Sequence, residues 1–249
     1  MNYSVITGAS SGIGYATAWK LAQKKHNLIL IARNDEKLTA LKNNILEKDP
    51  SLDIKVFASD LSDSQEVQQL IQELDRYPLD YFINNAGFGI AGDILSTDPG
   101  KIVKMIDLDV TNLVKLSVWF AQKYQADSEK QLLNVSSTAG YELNTRAVLY
   151  AASKQFVAAF TEGLALELKK KGLPLQVKVI APYATETNFA KTSLGSETFS
   201  YKESYEHYHT PEQMATFIFE LLQSDGVVGK INPETMKLEI SGPKLDWHK

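Results

Sequence analysis

Short apolar runs rich in β-branched residues alternate with longer segments of helical spacing along most of the chain, and this alternation limits the fold more than any other feature. The runs are YSVIT at 3, NLILIA at 27, IKVFA at 54, YFIN at 81, LLNVS at 132, LQVKVI at 175 and KLEI at 237. Between them lie segments such as ATAWKLAQKK, EKLTALKNNILEK, SQEVQQLIQELD and AASKQFVAAFTEGLALELKKK, whose apolar residues recur at helical intervals. A strand that is apolar along its whole length must be covered on both faces, and intervening helices supply the cover. The expectation is an α/β protein built on a doubly wound, parallel, seven-stranded sheet, with one domain over residues 1–249. The ligand crevice of such a sheet lies beyond the carboxyl ends of its strands.

No linker rich in proline, glycine and serine divides the chain, and no repeat or low-complexity tract appears. With 26 basic and 30 acidic side chains the net charge is −4, which offers no electrostatic footprint to nucleic acid or an anionic membrane. A small-molecule partner is favoured. The chain contains no cysteine, which excludes disulfides, thiolate nucleophiles and cysteine metal sites and permits a reducing compartment. The start, Met1 and then NYSVITG, has no basic leader, and no apolar run approaches the length of a membrane span, so a cytoplasmic location is expected. The histidines, His207 and His209 among them, are not paired with acids on a helix face; solvated loop positions and no metal site are expected. The irregular stretch from about residue 188 to 209 is longer than most connections and is expected to be a substrate lid.

TGASSGIG, residues 7 to 14, follows the first strand and opens the first helix. In that context Gly8 allows the sharp turn, Gly12 lets backbone approach a diphosphate, and Gly14 lets helix pack close to strand. The N–H groups at the helix start then face the phosphates. Further on, YAASK places Tyr150 and Lys154 four positions apart, on one helix face. A free phenol has a pKa of about 10, so near neutrality it is a ready proton donor and a poor base. An ammonium beside it favours the phenolate and draws the group toward the range where it can both donate and accept.

Gly-x-x-x-Gly-x-Gly at 8 to 14, NNAG at 84 to 87, NVSS at 134 to 137 and YAASK at 150 to 154 follow in order, with Ser137 lying 13 positions before Tyr150. Together they resemble the short-chain dehydrogenase/reductase family over nearly the whole chain. The resemblance implies a Rossmann fold and hydride transfer between a nicotinamide cofactor and a carbonyl or alcohol. Tyr150 would be the acid and base, and Ser137 would orient and polarise the carbonyl. Lys154 would tune Tyr150 and hold the nicotinamide ribose. It further implies cofactor contacts from Ser10, Ser11 and Ile13 in the glycine turn, from Asp60 and Leu61 after the third strand, and from Asn84, Ala86 and Gly87 after the fourth. Pro182, Thr185 and Thr187 would meet the nicotinamide end. Relatives commonly form homodimers or homotetramers, and Val114, Val118, Phe120, Phe156 and Phe160 would allow that or face the chain's own core.

The second strand ends LIARND, with Ala32 where NAD-preferring enzymes carry an acid and Arg33 next. No carboxylate there repels a 2′-phosphate and a guanidinium is at hand, so NADP(H) is the preferred cofactor, with NAD(H) open should Asp35 or Glu36 swing in. Asp60 could instead cap the next helix. Two positions depart from the family. Asp109, in KMIDLDVTNL, stands where the family has an asparagine of the proton relay, and Tyr183 replaces a glycine after Pro182. Those departures leave room for a dinucleotide sensor without turnover. A sugar-nucleotide epimerase or dehydratase fits less well, because the chain is short for its added domain.

Overall fold

The computed structural model describes residues 2–196 and 198–245. Its first half runs β1 (Tyr3–Thr7), α1 (Gly12–Gln23), β2 (Asn27–Ala32), α2 (Asp35–Lys48), β3 (Ile54–Ala58), α3 (Ser64–Leu74) and β4 (Leu79–Asn84). After these come α4 (Pro99–Ile106), α5 (Leu113–Tyr124), β5 (Gln131–Val135), α6 (Val148–Lys170) and β6 (Gln176–Ala181). The chain continues through α7 (Phe189–Leu194), α8 (Tyr201–Ser204), α9 (Pro211–Leu222), β7 (Val228–Ile231) and β8 (Leu238–Ser241). The strand order is β3-β2-β1-β4-β5-β6-β7-β8, parallel throughout except for β8, which runs antiparallel to β7. Chain order therefore reverses between β1 and β4, and the crevice opens beyond their carboxyl ends.

The doubly wound class is the one read from the sequence, but the sheet has eight strands rather than seven. KLEI forms the antiparallel edge strand β8, and the strand beside β6 is VGKI. Four residues that include a glycine and a lysine offer too little length or alternation to be recognised. Gly229 is there because α9 comes close: an added Cβ would lie 2.9 Å from Leu221 and 3.0 Å from Ile180.

Alternate residues of the central strands feed two cores, which is why these strands are apolar without interruption. On one face Ile6, Leu30, Ile83 and Ile180 meet Leu21, Leu41 and Ile218 from α1, α2 and α9. On the other, Val5, Ile29, Phe82 and Leu132 meet Val67, Leu116, Phe120 and Leu168 from α3, α5 and α6. Each such side chain contributes about 1.5–3 kcal/mol when fully buried, and truncating Phe82 to alanine would cost about 3–5 kcal/mol. No described helix is long and apolar enough to cross a membrane.

Candidate active site

The exits of β1 and β4 are tied together by side chains. Thr7 Oγ1 accepts the N–H groups of Asn85 and Ala86, each at 2.9 Å, and Asn85 Nδ2 donates to the Thr7 carbonyl at 2.9 Å. Gly8 and Gly12 have φ of +69° and +55°, where a side chain is disfavoured. A Cβ on Gly8 would lie 2.8 Å from Asn85 Nδ2, and one on Gly14 would collide with the Gly8 carbonyl oxygen. Helix α1 begins without a capping bond from Ser11 and without an acid in its first turn. Its leading N–H groups and positive dipole end are left for an anion, which fits a dinucleotide diphosphate. Ser10 lies in the same turn, and Ile13 packs partly buried on the core. Asn85 belongs to this site although the sequence pattern singles out only Asn84, Ala86 and Gly87 around it; the one available signal was its place in NNAG. Asn84 turns inward instead, donating to Ser117 Oγ at 3.0 Å and Asn134 Oδ1 at 2.9 Å.

Ser137, Tyr150, Lys154 and Asp109 come together beyond the ends of β4 and β5. The Ser136 hydroxyl donates to the Lys154 carbonyl at 2.7 Å, fixing α6 to the end of β5. Ser137 opens a 3-10 turn, Thr138–Tyr141, where its Oγ accepts the Ala139 N–H at 3.2 Å; its side chain faces the Tyr150 phenol. Lys154 is only 4% exposed. Its Nζ lies 5.7 Å from the centre of the Tyr150 ring, 3.3 Å from the Val135 carbonyl oxygen and 3.3 Å from Asp109 Oδ2. Asp109 is fully buried; its Oδ1 accepts the Phe88 N–H at 3.1 Å, whereas Oδ2 has the ion pair and no aligned hydrogen bond. Gly87 leaves room for this contact, since a Cβ there would lie 3.2 Å from both Asp109 Oδ1 and Lys154 Nζ.

Asp109 stands on a π-helical segment, Asp107–Asn112, between α4 and α5. Such wide turns recur at functional sites. This one sends Asp109 to Lys154 and Asn112 elsewhere: Asn112 Nδ2 donates to the Leu61 carbonyl at 2.9 Å, and its Oδ1 accepts the Ser64 hydroxyl at 3.0 Å. Asn112 thereby anchors the loop that carries Asp60 and Leu61.

The charges within the site oppose one another. Burial pushes the Tyr150 phenol up, Lys154 and Ser137 pull it down, Asp109 and Tyr201 push it up, and the outcome is upward. The expected draw of Lys154 toward neutrality is thus offset in this chain. Burial alone would lower the Lys154 ammonium, but the Asp109 carboxylate and Tyr150 outweigh it and raise the group. Burial raises Asp109 against the opposing pull of Lys154 and the Phe88 N–H.

At the adenosine side, Arg33 is exposed just beyond β2. Asn34 caps α2 by accepting the Lys37 N–H at 2.8 Å, and Asp35 and Glu36 lie exposed in the first turn of that helix. Asp60 accepts the N–H and hydroxyl of Ser62 at 3.0 and 2.8 Å. It does not cap α3, because Asp63 does so through Gln65 and Glu66. Burial pushes the Asp60 carboxyl up, but the Ser62 donors with Arg33 and Lys104 hold it below its ordinary value.

The stretch from 188 to 209 contains α7 and α8 and reaches Tyr150 through Phe189; Glu197 within it lies outside the described residues. The Pro182 carbonyl accepts the Thr138 N–H at 2.9 Å. Thr185 pairs with His209 in a parallel bridge, with Glu186 N–H to His209 O at 2.8 Å and His209 N–H to Ala184 O at 2.9 Å. Just before α7, Thr187 Oγ1 accepts the Phe189 N–H at 3.2 Å, and its methyl group would touch a Cβ on Gly12 at 3.0 Å. The Phe189 ring lies 5.2 Å from that of Tyr150. Tyr183 meets Tyr205 edge-on at 6.0 Å and packs on the core beneath α9. His207 is exposed, as expected, but His209 is buried rather than solvated, with Nε2 2.9 Å from the Met236 carbonyl oxygen. Backbone pairing with Thr185 draws it in. Among the described residues no cluster fit to hold a metal occurs.

A family profile described as short chain dehydrogenase matches residues 2–197. The chain belongs to the short chain dehydrogenase family. It is 31% identical over 209 residues to the very-long-chain 3-oxoacyl-CoA reductase of Anas platyrhynchos, covering 82% of this chain and 66% of that protein. It is 29% identical over 191 residues to the 17-beta-hydroxysteroid dehydrogenase type 3 of Homo sapiens, covering 76% of this chain and 61% of that protein. The chain therefore spans less than two thirds of the length of these curated relatives. Among solved structures, a short-chain dehydrogenase from Sphingobium yanoikuyae in complex with NADPH shares the fold, with a TM-score of 0.84 at 24% identity over 92% of this chain and 87% of that one.

Proposed function

We propose that this short chain dehydrogenase interconverts a ketone or aldehyde and an alcohol, using NADP(H) in preference to NAD(H). The observation that carries the reading is the convergence of Ser137, Tyr150 and Lys154 under one lid, beside a glycine turn shaped for a diphosphate. Gly8, Ser10, Ser11, Gly12, Ile13 and Gly14 would hold the diphosphate, and Arg33 the 2′-phosphate. Asp60, Leu61, Asn84, Ala86 and Gly87 would border the adenosine half; Lys154, Pro182, Thr185 and Thr187 would border the nicotinamide half. When bound, the nicotinamide supplies or accepts the hydride.

The protein's own residues manage the oxygen and its proton. Negative charge grows on the substrate oxygen during reduction, and hydroxyl donors from Ser137 and Tyr150 stabilise it. Tyr150 then gives up its proton to the alkoxide. In oxidation its phenolate takes the proton from the alcohol, and Lys154 favours that phenolate. The aromatic lid, where Phe199 meets Tyr201 at 5.1 Å and Tyr201 stacks on Tyr205 at 5.9 Å, suits an apolar substrate. The names of the two curated relatives point the same way. A homodimer or homotetramer is part of the proposal, supported by the exposed Val118 and by Phe156, which stacks on Phe160 at 6.2 Å along α6. Phe120 takes no part, being fully buried in the core.

The test follows nicotinamide absorbance while the protein is incubated with NADPH or NADH and a panel of bulky ketones and aldehydes. Turnover is expected, and Tyr150→Phe should reduce it about 10²–10⁴-fold with cofactor binding retained. Binding without turnover across the panel would instead mark a dinucleotide sensor.

A further inference from the structure

We infer that Asp109 biases this site toward carbonyl reduction near neutrality: paired with Lys154, it keeps the Tyr150 proton in place, ready to be given and slow to be removed. The inference rests on the proposed role of Tyr150 as acid and base.

An ammonium one helical turn away favours a phenolate only while its charge is unopposed. Here a carboxylate oxygen stands 3.3 Å from Lys154 Nζ, and the two side chains are 5% and 0% exposed, so water does little to screen them. Seen from Tyr150, the pair is a dipole with almost no net charge. The groups facing the phenol are Lys154 from its own helix, Asp109 from the π-helical segment, Ser137 from the end of β5, Tyr201 from α8 and Phe189 from α7. One is a cation, one an anion, and the rest are neutral. The anion is also built in: Phe88 N–H holds Oδ1, Gly87 withholds the Cβ that would crowd the contact, and the wide turn aims the side chain. An asparagine of the same shape would keep the Phe88 bond and leave the Lys154 charge unopposed.

The proton inventory then fixes the direction. In reduction, hydride adds to the carbonyl carbon, the π pair moves to oxygen, and the proton passes from Tyr150 Oη to that oxygen; solvent later reprotonates the phenolate. Oxidation must begin from the phenolate. Holding the proton leaves the overall equilibrium unchanged and moves the pH range in which each direction is fast, so Asp109 acts as a positioning residue, through Lys154.

The experiment titrates phenolate ultraviolet absorbance in the free protein, taking wild type minus Tyr150→Phe and Asp109→Asn minus the Asp109→Asn/Tyr150→Phe double variant. Tyr150 is expected to ionise about one pH unit or more lower when Asp109 is asparagine. With a substrate pair in hand, the pH profiles of both directions should move by the same amount, raising oxidation near neutrality about tenfold. An unchanged titration and unchanged profiles in a folded Asp109→Asn protein overturn the inference. Should that variant not fold, the wild-type difference titration decides: ionisation at or above the ordinary phenol value of about 10 supports it, and ionisation near neutrality overturns it. A shifted titration with no turnover on any substrate overturns the proposed function and leaves the charge pairing standing.

Discussion

Tyr141 donates a 2.6 Å hydrogen bond to Glu162 Oε1, and through it the turn that begins at Ser137 is joined to the segment after β8. The other oxygen, Oε2, accepts the backbone N–H groups of Lys244 at 2.6 Å and Leu245 at 2.9 Å. Three donors thus satisfy a carboxylate that is almost wholly buried on α6. Burial and this carboxylate push the Tyr141 phenol far above its ordinary range. The segment after β8 and the candidate catalytic serine share one support.

Glu162→Gln keeps the shape but trades one acceptor for a donor, leaving at least one of those three groups unsatisfied. A loss of about 1–3 kcal/mol is expected, read from urea unfolding, together with reduced turnover and an unchanged KM for cofactor. An unfolding midpoint equal to wild type would show that the clamp bears no strain.

Lys178 on β6 buries its ammonium against the C-terminal end of α9, donating to the carbonyls of Leu221 at 2.9 Å, Leu222 at 3.4 Å and Ser224. Burial lowers it to about 8, with Asp225 opposing. The unfolded chain, with a lysine pKa of about 10.4, binds more protons between those values, so stability rises with pH across that window. The stability of wild type minus that of Lys178→Met should therefore rise by about 1–3 kcal/mol from pH 7 to pH 10.5. Parallel stability curves for the two proteins would contradict this.

Gly87→Ala places a methyl group 3.2 Å from both Lys154 Nζ and Asp109 Oδ1. The pair must give way, and displacement on this scale is expected to cost about ten- to a hundredfold in kcat with the fold retained. Steady-state kinetics beside a thermal melt separates the two effects. Wild-type kcat in the variant would mean the pair yields without consequence.

Arg33→Ala removes the exposed guanidinium at the end of β2. A charge-assisted bond to a 2′-phosphate contributes about 1.5–3 kcal/mol, so NADPH affinity should fall about ten- to a hundredfold while NADH affinity stays constant. Equal loss for both dinucleotides would make the arginine a bystander.

Much of this was legible in the sequence because it is written in local chemistry. Strands buried on both faces betray themselves as unbroken apolar runs, so β1 to β6 stand out, and the four-residue spacing of Tyr150 and Lys154 fixes their shared face. What escaped depends on distant partners. The strand β7 is marked by Gly229, whose purpose appears only when Leu221 and Ile180 are packed against it. His209 is drawn inside by pairing with Thr185, and Asn85 acquires its role through Thr7. The π-helical turn around Asp109 has no periodic signature, and α7 and α8 are too short to show one. Asp109 was visible as a departure, but its consequence lay in a distance no spacing supplies.

The main-chain pairing of Thr185 with His209 brings the two ends of the stretch between them side by side. Closing a longer excursion adds only about 0.6 kcal/mol for each doubling of its length. Such a segment can change in length at little entropic cost to the closure at its root.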